Sequence, residues 1–210
     1  MGADGENNPA TDEALMLRLA SGDEAAWAEL ASRYRRHLVR FCASYLSDDH
    51  EAEDLAHEVL LRLYRKADQY DPACPFHPWL FRIARNLCLD HLRHKGTLPM
   101  EWTAASSIGV MIERMCDTTT SPAGKAMRKD IQERIAEVLH EMPEESRTAL
   151  TLRYCHGLPT KDVAAVLGIS PGNARVRLFR AIVALRDIII PLVDAEASAR
   201  IRSVFPSGNL

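Results

Sequence analysis

Apolar residues recur at helical spacing through most of this chain, and no useful stretch alternates apolar and polar residues as a half-buried strand would. The pattern predicts four helical runs: a first that begins after Thr11, a second that continues through Leu38, Phe41 and Tyr45, a third that begins near Asp48 and a fourth that begins near Pro78. Three prolines and two aspartates within 68–78 predict an ordered loop before the last of these helices. The apolar stripes of this half are Leu15, Leu19, Trp27 and Leu30; Leu38, Phe41 and Tyr45; Leu55, Val59 and Leu63; and Trp79, Ile83 and Leu87.

A compositional break separates this half from the rest. Residues 97–127 contain eight serines and threonines, two prolines and two glycines, so we predict a flexible linker with a short helical patch at 108–115. Helical periodicity resumes near Ala126 and continues to Pro191. The predicted fold is all-α, with a helical domain over 11–96, the linker over 97–127 and a second helical domain over 128–190. The pattern predicts no particular structure for the tail over 191–210.

A helix-turn-helix is predicted over 160–186, where the chain reads TKDVAAVLGISPGNARVRLFRAIVALR. Thr160 is expected to cap a short helix, and Gly168 supplies the left-handed backbone position that a sharp turn requires. Ser170 is a favoured N-cap residue, and Pro171 takes the first helical position, where its missing N–H costs nothing. A second helix of about sixteen residues is expected to follow.

The second helix of this motif has an apolar face and a basic face. Asn173, Arg177 and Arg180 lie at i, i+4 and i+7 on the basic side, and Arg175 flanks them. A planar guanidinium fits guanine or phosphate oxygens and an Asn amide fits adenine, so we expect this face to read a major groove. The alternative is a solvated Arg face on an ordinary helical pair. The stripe expected inside is Ala174, Leu178, Ala181, Ile182 and Leu185.

Charge is segregated along a chain whose net charge is only −3. Residues 1–32 carry seven acids against Arg18, and residues 47–58 carry six acids with no Lys or Arg. Residues 147–186 carry seven Lys and Arg against Asp162 alone. A basic block on an acidic chain can bind phosphate while the acidic part faces another partner.

Other features argue against export, membrane insertion and catalysis. No apolar run approaches the roughly twenty residues that cross a bilayer, and the polar, acidic start is unlike a secretory signal, so we expect a cytoplasmic protein. Five widely spaced cysteines without a CxxC motif favour thiols over disulfides. Cys88, His91 and His94 lack an evident fourth ligand, and no catalytic motif is present. We therefore expect no metal, no cofactor and no enzymatic activity.

Two blocks of the sequence resemble a known family. Residues 50–93, HEAEDLAHEVLLRLYRKADQYDPACPFHPWLFRIARNLCLDHLR, resemble conserved region two of the extracytoplasmic-function (ECF) sigma factors, a group of the sigma-70 family. Residues 142–186, which include the helix-turn-helix, resemble region four of the same factors. With the helices before residue 50, the resemblance spans most of 11–190. It implies a factor that binds core RNA polymerase and directs promoter-specific transcription initiation.

The resemblance also implies which residues contact each partner. The clamp helices of the largest polymerase subunit would be contacted by Glu51, Asp54, Leu55, His57, Glu58, Leu61 and Arg62. The promoter's minus-ten element would be read by Asp71, Phe76, His77, Arg82, Arg85, Asn86 and Arg93, while Trp79 is expected to be core. The minus-thirty-five element would be read by Ser170, Pro171, Gly172, Asn173, Arg175, Val176, Arg177 and Arg180.

The chain departs from the family pattern at two of these positions. His57 stands where many relatives have Gln, and Val176 stands where they often have a small polar residue, so the promoter sequence cannot be copied from a relative. By the same resemblance, an anti-sigma protein is expected to hold the two domains closed. The alternative function is a helix-turn-helix regulator that acts without core polymerase. That alternative accounts for 142–186 but leaves the acidic helix unexplained.

Overall fold

A computed structural model describes residues 10–46, 48–95, 122–193 and 195–204, which form helices and short connections without a strand. This confirms the predicted all-α class. The N-terminal unit contains α1 (Asp12–Ala20), α2 (Glu24–Cys42), α3 (Asp49–Arg65), a 3₁₀ turn (Ala67–Gln69) and α4 (Phe76–His94). The C-terminal unit contains α5 (Pro122–Glu141), α6 (Glu144–Leu150), a π-helical turn (Thr151–Cys155), α7 (Thr160–Leu167), α8 (Pro171–Ile189), a 3₁₀ turn (Ile190–Leu192) and α9 (Ala195–Val204). Within these ranges no helix is long and apolar enough to span a bilayer.

The first predicted helix is in fact two helices joined by a tight turn. Thr11 caps α1 as predicted, and the helix ends at Ala20. Gly22 then takes a φ of 91°, a conformation that a residue with a side chain adopts only with strain. The Asp23 carboxylate caps α2 by accepting hydrogen bonds from two amides of its first turn. Apolar spacing alone joined the two helices because both turn their apolar faces to the same core.

Helix α4 begins at Phe76, two residues before the predicted start at Pro78. Pro75 precedes it and offers no side-chain cap. The missing cap comes from another helix, since a Glu13 carboxylate oxygen in α1 accepts a hydrogen bond from the Phe76 amide at 3.1 Å. A carboxylate at a helix N-terminus satisfies an orphan N–H and meets the positive end of the helix dipole.

The C-terminal unit is more extensively helical than the sequence predicted. Helix α5 begins at Pro122, inside the predicted linker and before the expected restart at Ala126. The predicted helical patch at 108–115 lies outside the described residues. Residues of the tail form α9, which buries Ala197 and Ile201. Pro191 therefore lies within the 3₁₀ turn that follows α8, and the fold continues beyond it.

The two units pack directly against each other. Their buried apolar side chains form one continuous cluster, and α7 of the C-terminal unit lies on α4 of the N-terminal unit. His156 follows the π-helical turn and sits between Phe41 and Phe81, with ring centroids 5.7 and 4.7 Å away. Fully burying an aromatic or Leu side chain contributes about 1.5–3 kcal/mol. Apolar burial at this contact therefore stabilises the packing of the two units against each other.

The described cysteines are thiols of three kinds. Cys42 and Cys88 are buried in the N-terminal unit, as expected. Cys74 is exposed, because it lies in the loop before α4 and not on an apolar stripe. Cys155 lies between these extremes, and burial raises its pKa to about 11. Cys116 lies outside the described residues.

Candidate DNA- and polymerase-binding surfaces

The predicted helix-turn-helix is formed by α7 and α8. Gly168 ends α7 in the left-handed conformation with a φ of 68°, and the Ile169 amide donates back to the Ala164 carbonyl at 3.1 Å. One detail of the prediction is wrong: α7 starts at Thr160 itself, after Pro159, and no side chain caps it. A Pro before a helix fixes an extended backbone at the N-cap position without needing a hydroxyl.

The start of α8 follows the prediction closely. The Ser170 hydroxyl accepts a hydrogen bond from the Asn173 amide at 3.2 Å, and Pro171 is the first helical residue. The helix runs for 19 residues and ends at Ile189, later than predicted. The predicted inner stripe is buried without exception: Ala174, Leu178, Ala181, Ile182 and Leu185.

The opposite face of α8 presents the predicted minus-thirty-five residues to solvent, apart from Arg177. Asn173, Arg175 and Arg180 are exposed, as are the cap residues Ser170, Pro171 and Gly172. Val176 is 48% exposed between them. Arg177 is half-buried because its guanidinium donates to the Glu145 carboxylate, with nitrogen and oxygen 2.6 Å apart. Within this face, one arginine is therefore already held by the protein.

The predicted minus-ten residues divide into four situations, of which three are exposure, a role in the loop and full burial. Arg82 and Asn86 are exposed on α4, and Arg93 is exposed beside Asp90, to which it donates at 2.8 Å. Asp71 accepts a hydrogen bond from the Ala73 amide at 2.9 Å and so shapes the loop before α4. Phe76 is fully buried, so its side chain cannot contact a base in this arrangement. The periodicity gave no sign of this burial because Phe76 was placed in the loop.

The remaining two minus-ten residues make contacts with other helices. The His77 ring Nε2 lies 2.9 Å from the Tyr34 hydroxyl of α2, at the edge of the N-terminal unit. Arg85 crosses to the C-terminal unit. Its Nε and Nη2 donate to the two oxygens of Glu144 at 3.2 and 2.7 Å, which is a bidentate ion pair.

Glu144 sits at the centre of a buried hydrogen-bond network. Its Oε1 also accepts from the Tyr45 hydroxyl at 2.9 Å and from the Thr148 hydroxyl at 2.8 Å. Tyr45 and Thr148 are buried as well, and their two hydroxyl oxygens lie next to each other. Burial alone would raise the pKa of Glu144, but the hydrogen bonds from Arg85, Thr148 and Tyr45 and the Arg85 charge leave that pKa below its ordinary value. The carboxylate is therefore ionised at neutral pH.

The acidic face of α3 carries the predicted polymerase contacts. Asp54 and His57 are exposed, together with Glu53, and a cleft of about 590 Å³ beside them is lined by Trp27 and Arg35 of α2. The other predicted polymerase contacts are less accessible to a partner. Leu55 is buried and Leu61 is half-buried. Glu58 and Arg62 form an ion pair at 3.1 Å, and Glu51 pairs with Lys95 and lies 3.5 Å from His91.

Sequence reasoning missed three residues whose contacts are distant in sequence, two of which, Glu144 and His156, join the two units. Glu144 and Glu145 received no role, although two acids directly after Met142–Pro143 are a recognisable helix start. His156 received no role either. The partners of these residues lie far away in sequence, so no local signal could have identified them. In the described part of the chain, no three His, Cys, Asp or Glu side chains converge as metal ligands do.

Comparison with solved structures reproduces this arrangement of helices. The structure of CnrH in complex with the cytosolic domain of CnrY aligns with a TM-score of 0.62 at 24% identity, covering 86% of this chain and 97% of that one. The sigma factor RpoE in complex with the anti-sigma factor NepR from Bartonella quintana aligns with a TM-score of 0.54 at 19% identity, covering 78% of this chain and 96% of that one. At these identities the likeness concerns the fold.

Comparison of sequences is more specific. The family model for Sigma-70 region 2 matches residues 30–97, and the model for Sigma-70 region 4 matches residues 132–185. The RNA polymerase sigma-H factor of Pseudomonas aeruginosa is 30% identical over 87% of this chain and 95% of its own length. The ECF RNA polymerase sigma-E factor of Haemophilus influenzae is 28% identical over 87% and 97%, and the ECF RNA polymerase sigma factor SigW of Bacillus subtilis is 28% identical over 80% and 91%. Both regions occur in the family's order and the alignments run nearly end to end, so the chain belongs to the extracytoplasmic-function group of the sigma-70 family.

Proposed function

We propose that this sigma factor binds core RNA polymerase with the acidic face of α3 and reads promoter DNA with α4 and α8. The observation that carries the proposal is the separation of two exposed faces on one chain, acidic on α3 and basic on α8. A helix-turn-helix regulator acting alone requires only the basic face. The proposal places the protein in the cytoplasm with polymerase and gives it no catalytic role.

The minus-thirty-five element is assigned to the exposed face of α8. Arg175 and Arg180 can bridge phosphate or guanine oxygens, and Asn173 can pair with adenine. The amides of the first turn add attraction for a phosphate. Val176 offers apolar contact to a thymine methyl where a polar residue would offer a hydrogen bond, so a thymine preference at that step is expected.

The minus-ten element is assigned to α4 and the loop before it. Arg82, Asn86 and Arg93 supply donors along one exposed side, and His77 and Asp71 stand at its N-terminal end. A loop of this kind can receive a base that leaves the stack during melting. Phe76 is left out of the contacting set because its side chain is core.

The polymerase contact is assigned to Asp54, Glu53 and His57, which face solvent on α3. Within the described residues neither Glu53 nor Asp54 forms an ion pair, unlike Glu51 and Glu58, so both carboxylates are available to basic side chains of a partner. We further propose an anti-sigma protein as the second partner. RpoE of Bartonella quintana, a neighbour in fold, was solved with such a protein.

The DNA assignment is tested by reversing charge on α8. Core polymerase transcribes genomic DNA of the source organism with and without the chain, and the transcript starts are mapped. Arg175→Glu with Arg180→Glu is expected to abolish the new starts, whereas Arg202→Glu, an exposed arginine on α9, is expected to leave them. Starts that persist unchanged in the double variant would contradict the assignment.

The polymerase assignment is tested separately, by retention of core polymerase on the immobilised chain. Glu53→Lys with Asp54→Lys is expected to weaken retention at least tenfold, because two attractive rim charges become repulsive. Glu24→Lys, an exposed acid at the start of α2, serves as the matched control. Equal retention of both variants would remove α3 from the proposed interface.

A further inference from the structure

Two neighbouring carboxylates at the start of α6 each hold an arginine from a different DNA-reading helix. Glu144 binds Arg85 of α4, and Glu145 binds Arg177 of α8. The first contact joins the N-terminal unit to the C-terminal unit, while the second lies within the C-terminal unit.

These contacts compete directly with DNA. The Nε and Nη2 groups of Arg85 are the fork that would bridge a phosphate, and both are already committed to Glu144. Arg177 directs one terminal nitrogen at Glu145. An arginine cannot give the same N–H groups to a carboxylate and to a phosphate, so DNA must displace Glu144 to reach the fork of Arg85 and must displace Glu145 to reach Nη2 of Arg177.

The Arg85 contact also determines how the units are arranged. Tyr45 donates to the same carboxylate, so two side chains of the N-terminal unit hold Glu144 across the junction between the two units. Thr148 of α6 itself donates to the same oxygen as Tyr45. His156 extends the junction by packing on Phe41 and Phe81. Releasing Arg85 for DNA therefore removes the polar centre of the contact between the units.

We propose that Glu144 and Glu145 form an internal carboxylate clasp: Glu144 keeps the free chain closed and withholds Arg85 from DNA until the units separate, whereas Glu145 withholds Arg177 within the C-terminal unit. The clasp rests on the proposed function, because it regulates the surfaces assigned there to promoter DNA. It gives the chain a restraint of its own, separate from any protein partner.

The central test measures closure and DNA binding of the full chain together. Small-angle X-ray scattering gives the radius of gyration, and fluorescence anisotropy gives the affinity for a mixed-sequence duplex across a salt series. Glu144→Gln is expected to enlarge the chain, to raise affinity roughly tenfold and to steepen the salt dependence by about 0.9 for each additional phosphate that the chain neutralises. Glu137→Gln, at an exposed acid of α5, is expected to match the wild type.

The two carboxylates are distinguished by their single variants. Glu145→Gln is expected to steepen the salt dependence without enlarging the chain, because its contact with Arg177 lies within one unit. An unchanged salt slope in this variant would overturn the role of Glu145. A wild-type radius of gyration and a wild-type salt slope in Glu144→Gln would overturn the clasp as a whole.

A second variant protects the test against misfolding. If circular dichroism shows that Glu144→Gln has lost helix, Arg85→Gln breaks the same contact from the N-terminal unit, and scattering reads closure without reference to DNA. A compact Arg85→Gln chain would also overturn the clasp. Transcript mapping with the wild type runs in parallel: failure to initiate counts against the proposed function, whereas initiation by a wild type whose Glu144→Gln variant stays closed counts against the clasp alone.

Discussion

The two ion pairs at the start of α6 differ in depth, and the difference separates their roles. The side chains of Arg85 and Glu144 are 14% and 17% exposed, and they meet through two hydrogen bonds with Tyr45 and Thr148 close by. The side chains of Arg177 and Glu145 are 34% and 39% exposed. A shielded, bidentate pair can hold two units together, whereas a solvated pair contributes little to stability and mainly occupies an arginine.

The largest expected effect comes from removing the shielded carboxylate. Glu144→Leu leaves Arg85 at the junction without a counter-charge, and we expect a loss of about 2–3 kcal/mol in the free energy of unfolding, measured by urea denaturation. Glu145→Leu serves as the matched change at the solvated pair. A second-site Arg85→Met change in the Glu144→Leu chain is expected to recover much of the loss, since it removes the unpaired charge. Equal losses at positions 144 and 145 would contradict the comparison.

The next effect is a pH dependence of the opening of the two units, which arises from His156 at the contact between them. Burial between Phe41 and Phe81 lowers the pKa of His156 to about 3, and the neighbouring charges of His37 and Arg40 act in the same direction. Neither ring nitrogen has a hydrogen-bond partner among the described residues, so the closed form holds the neutral ring. Opening the junction lets the ring charge at its ordinary pKa of 6.5.

The sign follows from these two values. A group whose pKa is lower in the closed form costs that form stability as the pH falls below 6.5, until the closed form itself is protonated near 3. Lowering the pH from neutral to about 5 is expected to favour opening roughly 25-fold, seen as a larger radius of gyration. Glu144, with its lowered pKa, adds to this only at pH values below its ordinary 4.5. His156→Leu is expected to abolish the change above that pH, and its persistence would assign the effect elsewhere.

A smaller effect is expected from the hydrogen bonds around the shielded pair. Thr148→Val keeps the shape of a buried side chain and removes the hydroxyl that donates to Glu144. We expect a loss of about 1 kcal/mol in the free energy of unfolding, the ordinary value for one buried hydrogen bond. Thr160→Val, at the uncapped start of α7, should cost less because no hydrogen bond to its side chain caps that helix.

The smallest effect belongs to the solvated pair itself. A double-mutant cycle with Arg177→Gln and Glu145→Gln is expected to give a coupling energy of about 0.2–1 kcal/mol in urea denaturation. The coupling should fall toward zero in high salt, because an exposed pair is screened. A salt-resistant coupling as large as that between Arg85 and Glu144 would show that the two pairs do not differ as their exposure indicates.

The sequence was most informative where structure is local. The Ser170 cap, the first-position Pro171 and the left-handed Gly168 all lie where the motif predicted them, because each acts through backbone groups a few residues away. It was less informative where a cap is supplied from a distance. The start of α4 was misplaced because the group that caps it is Glu13, in a different helix. Because the start of α4 was misplaced, Phe76 was assigned to the preceding loop and was predicted to contact DNA, although its side chain is buried.

By itself, then, the sequence determined the all-α class, the apolar faces, the helix-turn-helix and the family, since periodicity, capping and motif spacing are properties of neighbouring residues. Only the tertiary structure decided that two of the predicted DNA-contacting arginines face carboxylates of the same chain. Arg85 and Glu144 are separated by 59 residues, and α7 brings its unit onto α4 through a shared apolar cluster. Local pattern fixes which side of a helix is polar, but the side chain that lies opposite depends on how whole helices pack.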